Sequence, residues 1–264
     1  MSDALAARFA ARGLDWIVPA WQGPARVRAF FTTRNGGTST GTAAMLDLGP
    51  ASPTAADLAG AIGENRRRVG AMLPSAPVWL SQVHGRDVVV VAADTVAALR
   101  AVPPHADAAV TRTPGIVLAV RTADCLPVLF AARDGSVLAV AHAGWRGLAA
   151  GVLEAAVAAM DVPARDVAGW IGPAIGPGAF EVGADVLAAH CASDAGAAAH
   201  FAPLRERKWL ADLPALARRR LAAIGVTDVR VDGACTFADA RRFHSWRRDR
   251  SSARMALLAW LAPG

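Results

Sequence analysis

The chain has 264 residues, enough to bury a sizeable core without disulfides or metals, and its 3 cysteines are an odd number that argues against a disulfide framework. The net charge of +6 is carried almost wholly by arginine, Lys208 being the sole lysine; apart from runs at 66–68, 218–220 and 241–250 the arginines scatter, which suits a solvated basic surface or an anionic small-molecule substrate better than nucleic acid. There is no uncharged apolar run of about 18 residues, and residues 1–12 lack the basic start and apolar core of a secretory signal, so a cytoplasmic chain with no membrane span is expected.

In chain order, residues 26–33 read as a strand running into a Gly/Ser/Thr-rich loop at 34–42. Asn35-Gly36-Gly37 in that loop is a tight turn or, less readily, a phosphate nest, with Arg34 as a candidate anion ligand. Residues 55–73 read as a helix capped by Thr54. Residues 78–82 and 88–92 are short strands around a His84-Gly85 turn, and 108–111 is another strand. Three apolar runs follow, at 115–121, 125–131 and 137–142. The last two are joined by Arg133-Asp134-Gly135-Ser136, and Asp-Gly is a strong hairpin signal. Gly144 to Gly147 then leads into a helix at 148–160. Beyond it lie a Gly/Pro-rich stretch at 172–178, helices near 184–192 and 210–223, and a strand near 229–231. An apolar run at 253–261 reads as a final helix. The Gly/Pro-rich stretch lacks the strand–helix context of a dinucleotide loop. Strands and helices alternate irregularly and some strands form hairpins, so the expected class is α/β or α+β with a mixed sheet.

The hairpin carries the first chemical expectation. With Asp134-Gly135 at its tip, Arg133 faces Ser136. Counting outward, Cys125 faces Gly144, two residues past His142. Thiol and imidazole therefore share one end of the hairpin, where opposed Cβ atoms lie about 4.5–5.5 Å apart and diagonal ones about 7–8 Å. They could share a metal ion or form a Cys–His pair; the plainer alternative is a small buried thiol beside a structural histidine. Asp124 precedes the cysteine, and Arg146 follows the histidine at a helix start, a setting that favours anions. His84 sits in a Ser81-Gln82-Val83-His84-Gly85 turn that suits a site residue, but no local spacing ties it to the pair. His105, His190 and His200 read as structural or surface residues, Cys191 and Cys235 as core thiols, and His244 lies in the basic 241–250 loop.

Three motifs carry a resemblance. Ser81-Gln82-Val83-His84-Gly85, Arg121-Thr122-Ala123-Asp124-Cys125-Leu126-Pro127-Val128 and Ala141-His142-Ala143-Gly144-Trp145-Arg146-Gly147 resemble the three signatures of the bacterial laccase-domain family. That family is also called the polyphenol oxidase or peptidoglycan editing factor family, and its members are described as purine nucleoside phosphorylases. Thr32-Thr33-Arg34 with Gly36-Gly37, Asn65-Arg66, Ile171-Gly172-Pro173, Phe180-Glu181-Val182-Gly183 and Ser245-Trp246-Arg247-Arg248-Asp249 are similar as well. The resemblance spans residues 26–261. It implies one layered α/β sandwich domain over 1–264, with 1–24 as an N-terminal extension. It implies a zinc ion held by His84, Cys125 and His142. It further implies phosphorolysis of adenosine, inosine and methylthioadenosine together with adenosine deamination. Copper-dependent phenol oxidation and peptidoglycan-precursor editing are the other activities attributed to the family. The chain departs from the family pattern at Gly37-Thr38-Ser39, at Met45-Leu46-Asp47-Leu48-Gly49 and at Phe243-His244-Ser245-Trp246, which bears on substrate preference and leaves the three ligands intact.

Three protein ligands leave one tetrahedral position open, the pattern of a catalytic zinc. Phosphorolysis also needs cations to hold phosphate, and Arg34, Arg66 and Arg146 are the candidates. Asp124 is the candidate proton shuttle. The expected partners are small molecules, a purine nucleoside and phosphate, with no nucleic acid, and the chain is expected to be a monomer. The competing readings are a copper oxidase of phenols, a cysteine hydrolase with Cys125 as nucleophile, and a regulatory protein with a structural metal. A multicopper oxidase would need far more histidines than the 6 present.

Overall fold

The computed structural model describes residues 2–50 and 52–263; Met1, Ala51 and Gly264 lie outside the described residues. The chain opens with helix α1 (Ser2–Ala10) and strand β1 (Val27–Phe31). Helices α2 (Ala55–Ala59) and α3 (Ala61–Gly70) follow, then β2 (Pro77–Trp79), β3 (Val88–Val90) and α4 (Val96–Ala101). The central strands are β4 (Ala108–Thr111), β5 (Val117–Thr122), β6 (Leu126–Ala132) and β7 (Leu138–Ala143). Next come α5 (Trp145–Ala150), α6 (Val152–Ala159), β8 (Val167–Ile171), β9 (Glu181–Gly183) and α7 (Ala184–Cys191). The chain closes with β10 (Phe201–Arg205), β11 (Lys208–Ala211), α8 (Leu213–Ala223), β12 (Asp228–Val231), α9 (Trp246–Asp249) and β13 (Met255–Leu261).

Two mixed sheets are stacked, one in the order β1-β13-β5-β2 and the other β12-β8-β6-β7-β4-β3; a small antiparallel sheet, β10-β11-β9, lies apart. Side-chain alternation explains the layers. In β6, Leu129 and Ala131 join Leu118, Val120 and Leu257 of the other sheet in a core between the sheets. Val128 and Phe130 face the opposite way, into a core with Leu148, Leu153 and Ala156 of α5 and α6 and Leu216 and Leu221 of α8. A third core covers the far side of the four-stranded sheet, where Phe30, Ala119 and Leu258 meet Leu5 and Phe9 of α1 and Val69 of α3. The mixed-sheet α/β class expected from the element pattern is present, and the layered sandwich implied by the resemblance runs helix, sheet, sheet, helix. Within residues 2–24, Leu5, Phe9 and Trp16 are buried in the third core.

Several elements differ from expectation. The apolar run at 253–261 is a strand, not a helix: β13 lies between β1 and β5 and is buried on both faces, so it shows no alternation. The helix at 55–73 divides at Gly60, although Thr54 does form the expected cap, accepting from Asp57 N. The helix at 148–160 starts earlier, at Trp145, and divides at Gly151, whose φ of 93° is left-handed. The 210–223 helix loses its start to β11. The strands near 78–82 and 88–92 belong to different sheets. Cys191 and Cys235 are half-buried and not core thiols.

Candidate metal centre

The β6–β7 hairpin has the register expected from its turn: Pro127 pairs with His142 and Leu126 with Ala143, which sets Cys125 beside Gly144. Gly135, at φ 72°, and a bond from its N–H to Ala132 O close the tip. His142 shares the side-chain parity of Leu138 and Val140, and Cys125 that of Leu129, so both lie on the face toward the second sheet. The expected pair therefore forms.

His84 joins it. The ligand atoms of His84, Cys125 and His142 all lie within 4.8 Å of one another, with Cys125 Sγ 3.9 Å from His84 Nε2. The two imidazole planes are nearly perpendicular at 81°. His84 is exposed, Cys125 half-buried and His142 buried. His84 also has a φ of 61°, an uncommon conformation for a residue with a side chain, and surrounding structure must hold it.

Asp107 supplies that hold, although no motif or spacing singles it out. Its carboxylate is fully buried at the foot of β4. Oδ1 accepts from His142 Nδ1 (2.8 Å) and from His84 N (3.1 Å), and Oδ2 accepts from Val83 N (3.1 Å) and Gly85 N (2.7 Å). One side chain thus shapes the 83–85 turn and fixes the second imidazole through its Nδ1, leaving Nε2 as the ligand atom. Gln82 adds a second tether, exchanging two hydrogen bonds with the backbone of Arg121 on β5. The only signal available was a carboxylate next to the apolar run at 108–111.

The glycines of the third motif have steric reasons. A Cβ at Gly144 would stand 2.7 Å from His84 Cδ2 and 3.0 Å from Cys125 Sγ, and one at Gly147 would stand 2.7 Å from Gly85 O. The 84–85 turn nests on the start of α5 because Gly144 and Gly147 have no side chains.

Electrostatics follow from these contacts. Burial pushes the Cys125 thiol up, but His142 and His84 outweigh it and bring it down to about 6. Burial pushes His142 down, yet Cys125 and Asp107 raise it to about 9. In the metal-free protein each partner thus favours the charged form of the other, and a metal ion would compete with the proton on the imidazole.

The remaining candidates are placed differently. Asp124, at φ 92°, is buried, and its carboxylate already accepts from Thr236 Oγ1 (2.6 Å), Ser245 Oγ (3.0 Å) and Arg247 N (2.7 Å). It clamps the 236–247 segment onto the start of β6. Ile175 N of the Gly/Pro-rich loop donates to its carbonyl, so that loop, which does follow a strand but leads into no helix, buttresses the same corner. Arg34 gives Nε and Nη2 to Ala44 O and Nη1 to Ala240 O, and Arg66 binds Leu48 O and Pro50 O while stacking on Trp79. Both guanidinium groups thus fasten loops. Arg146 is exposed, its guanidinium rests over the Trp145 ring at 4.3 Å, and that group makes no hydrogen bond to the described residues. Of the three arginines it alone, on this count, has its donors unspent. His105 is exposed, His200 half-buried, and His190 and His244 buried. No helix among the described residues is long and apolar enough to cross a membrane.

Residues 28–262 match the family model described as multi-copper polyphenol oxidoreductase laccase. The chain is similar to a purine nucleoside phosphorylase of Pseudomonas aeruginosa, 49% identical over 93% of this chain and 98% of the relative. It is also similar to the purine nucleoside phosphorylase YfiH of Escherichia coli, 47% identical over 93% and 98%. Among solved structures, a Neisseria meningitidis protein matches with a TM-score of 0.86 at 42% identity, covering 94% of this chain and 100% of that one. YlmD from Geobacillus stearothermophilus matches with a TM-score of 0.81 at 28% identity, covering 90% and 93%.

Proposed function

As the chain belongs to the multi-copper polyphenol oxidoreductase laccase family, and long-range relatives in it carry the name purine nucleoside phosphorylase, we propose that it is a zinc-dependent purine nucleoside phosphorylase. In this reading it cleaves adenosine, inosine and methylthioadenosine with phosphate and also deaminates adenosine, as a cytoplasmic monomer. The observation that carries the reading is the His84–Cys125–His142 cluster, with its carboxylate support and its glycine-lined approach.

The donor set fits zinc. His84, Cys125 and His142 would hold the ion with one thiolate and two imidazoles, a donor set suited to a catalytic zinc. When bound, zinc would supply a Lewis acid next to the substrate. The protein's own groups do the rest. Asp107 holds His142 in the tautomer that presents Nε2. Phosphate needs a cation beside the sugar, and Arg146 is the arginine with donors to spare. Arg34 and Arg66 would have to exchange carbonyl partners to serve in that role. Asp124 is the acid adjacent to Cys125, and a proton-shuttle role requires it to release one of its three donors.

The test is incubation of the zinc-loaded protein with inosine and phosphate. Hypoxanthine and ribose 1-phosphate are expected in equal amounts. A folded, zinc-loaded sample that yields neither would sink the reading. Copper in place of zinc would suit the family description, but the described residues contain one cluster of three ligands, and electron transfer through several coppers needs more. A second reading rests on a specific observation: Asp107, His142 and Cys125 stand in the order of orienter, base and nucleophile. It makes Cys125 a nucleophile in the metal-free protein, and a covalent adduct on Cys125 during turnover is its signature.

A further inference from the structure

Four large apolar side chains remain exposed on the very segments that hold the metal centre. Val83 (53% exposed) precedes His84, and Met45 (41%) precedes Leu46, whose carbonyl meets His244 Nε2 at 3.1 Å. Phe237 (36%) follows Thr236, and Trp246 (47%) stands between Ser245 and Arg247. Thr236, Ser245 and Arg247 are the three donors that grip the Asp124 carboxylate, one residue from Cys125.

The backbone that carries Phe237 and Trp246 is tied down at several points. Arg248 donates Nη1 to Thr236 O and Phe237 O, both at 2.8 Å, and Nη2 to Phe243 O, which welds the two stretches into one unit. Arg247 reaches Glu181 O at 2.8 Å and lies over Phe180. Arg250 backs the Trp246 ring at 4.5 Å. A large indole left half in water costs solvation, and this one is fixed by bonds that end next to the metal cysteine. Rings presented this way stack on flat, weakly polar partners, and a purine is such a partner.

We propose that Trp246 is the platform on which the purine base of the substrate stacks. The inference deepens the nucleoside reading and rests on it. The loop that presents the platform is anchored to Asp124, so base recognition and the position of Cys125 are mechanically joined.

The experiment compares wild type, Trp246→Ala and Trp246→Phe, all zinc-loaded. It measures KM and kcat for inosine, KM for phosphate, and zinc content. It also measures quenching of intrinsic fluorescence by inosine in the absence of phosphate. For Trp246→Ala the inosine KM should rise about tenfold or more, with kcat changed far less and phosphate KM and zinc content unmoved. Trp246→Phe should recover most of the loss, and part of the quenching should vanish in both variants. An unchanged inosine KM in folded, zinc-loaded Trp246→Ala overturns the proposal. So does a parallel loss of zinc, which would mark a structural role, or a dimer that dissociates on this substitution, which would assign the patch to a second copy of the chain. If the wild type neither binds nor cleaves inosine, the platform falls together with the nucleoside reading. If the wild type cleaves inosine and Trp246→Ala does so with the same KM, the platform falls alone.

Discussion

His142 and His190 lie on two sides of the same junction between β7 and α5, and both are almost wholly buried, at 3% and 2% exposure. Their charges are driven in opposite directions. His142 gives its Nδ1 proton to Asp107 and faces the Cys125 sulfur, and despite burial it rises to about 9. His190 is pushed down to about 4 by burial and the nearby Arg220, with the Trp145 carbonyl as its one compensating partner, and its Nε2 has none. Burial is common to both, so the partners decide. A carboxylate and a thiolate make one imidazole a metal ligand held in place, while a carbonyl and a guanidinium make the other a neutral packing residue.

The largest effect should come from removing the partner that is also a ligand. Cys125→Ser keeps the shape and loses the soft anion. Zinc content should drop to near zero, a larger loss than the roughly 10–100-fold caused by altering an outer partner. Metal analysis after dialysis reads this directly, and inosine cleavage should vanish with it. Asp107→Asn comes next. The carboxylate receives four donors, and an amide offers only one oxygen to them, so at least one N–H of the 83–85 turn or of His142 is left facing N–H. Zinc affinity should fall about 10–100-fold and stability by about 1–3 kcal/mol. Amide exchange at residues 83–85 should speed up while the β6–β7 hairpin stays protected. Equal loosening of both regions would break the distinction between a locally built hairpin and a turn built at a distance.

That distinction also governs what could be read in advance. Cys125 and His142 were legible because a turn and two strand lengths fix their register, and both are local properties. His84 was legible only by resemblance. Its place is set by Asp107, which reaches across 22 residues to Gly85 and 35 to His142. Nothing in the local pattern announces such a residue. The strand at 255–261 was missed for a related reason. A run buried on both faces has no polar beat, so periodicity cannot tell it from a buried helix. Arg34, Arg66 and Asp124 stand out in the sequence as charges near motifs, and the fold has all three fastening loops.

Gly144→Ala should act more mildly than Asp107→Asn. The added methyl meets His84 and Cys125 but introduces no backbone strain, because φ at Gly144 is −68°. The exposed His84 ring can yield where the hairpin cannot, so zinc should bind more weakly while the fold's melting temperature holds. A loss of stability equal to that of Asp107→Asn would show that the turn is as rigid as the hairpin.

Acid reads the same contrast through stability alone. His190 and His244 are both held near 4, His244 by burial and by Arg34, against an ordinary value of 6.5. Below pH 6.5 the unfolded chain takes up protons that these buried rings refuse, so stability falls as pH drops toward 4 and then levels, at about 1 kcal/mol per histidine per pH unit within that window. His142 differs: its raised value and the lowered value of Cys125 arise from each other, so in the metal-free protein the pair holds about as many protons folded as unfolded and adds little slope. Denaturant titrations at pH 7 and pH 5 therefore read His190 and His244. His190→Gln retains a donor for the Trp145 carbonyl and cannot titrate, so its acid slope should be shallower than that of the wild type. An unchanged slope would mean that His190 accepts its proton in the folded state, and the contrast with His142 would then rest on something other than its partners.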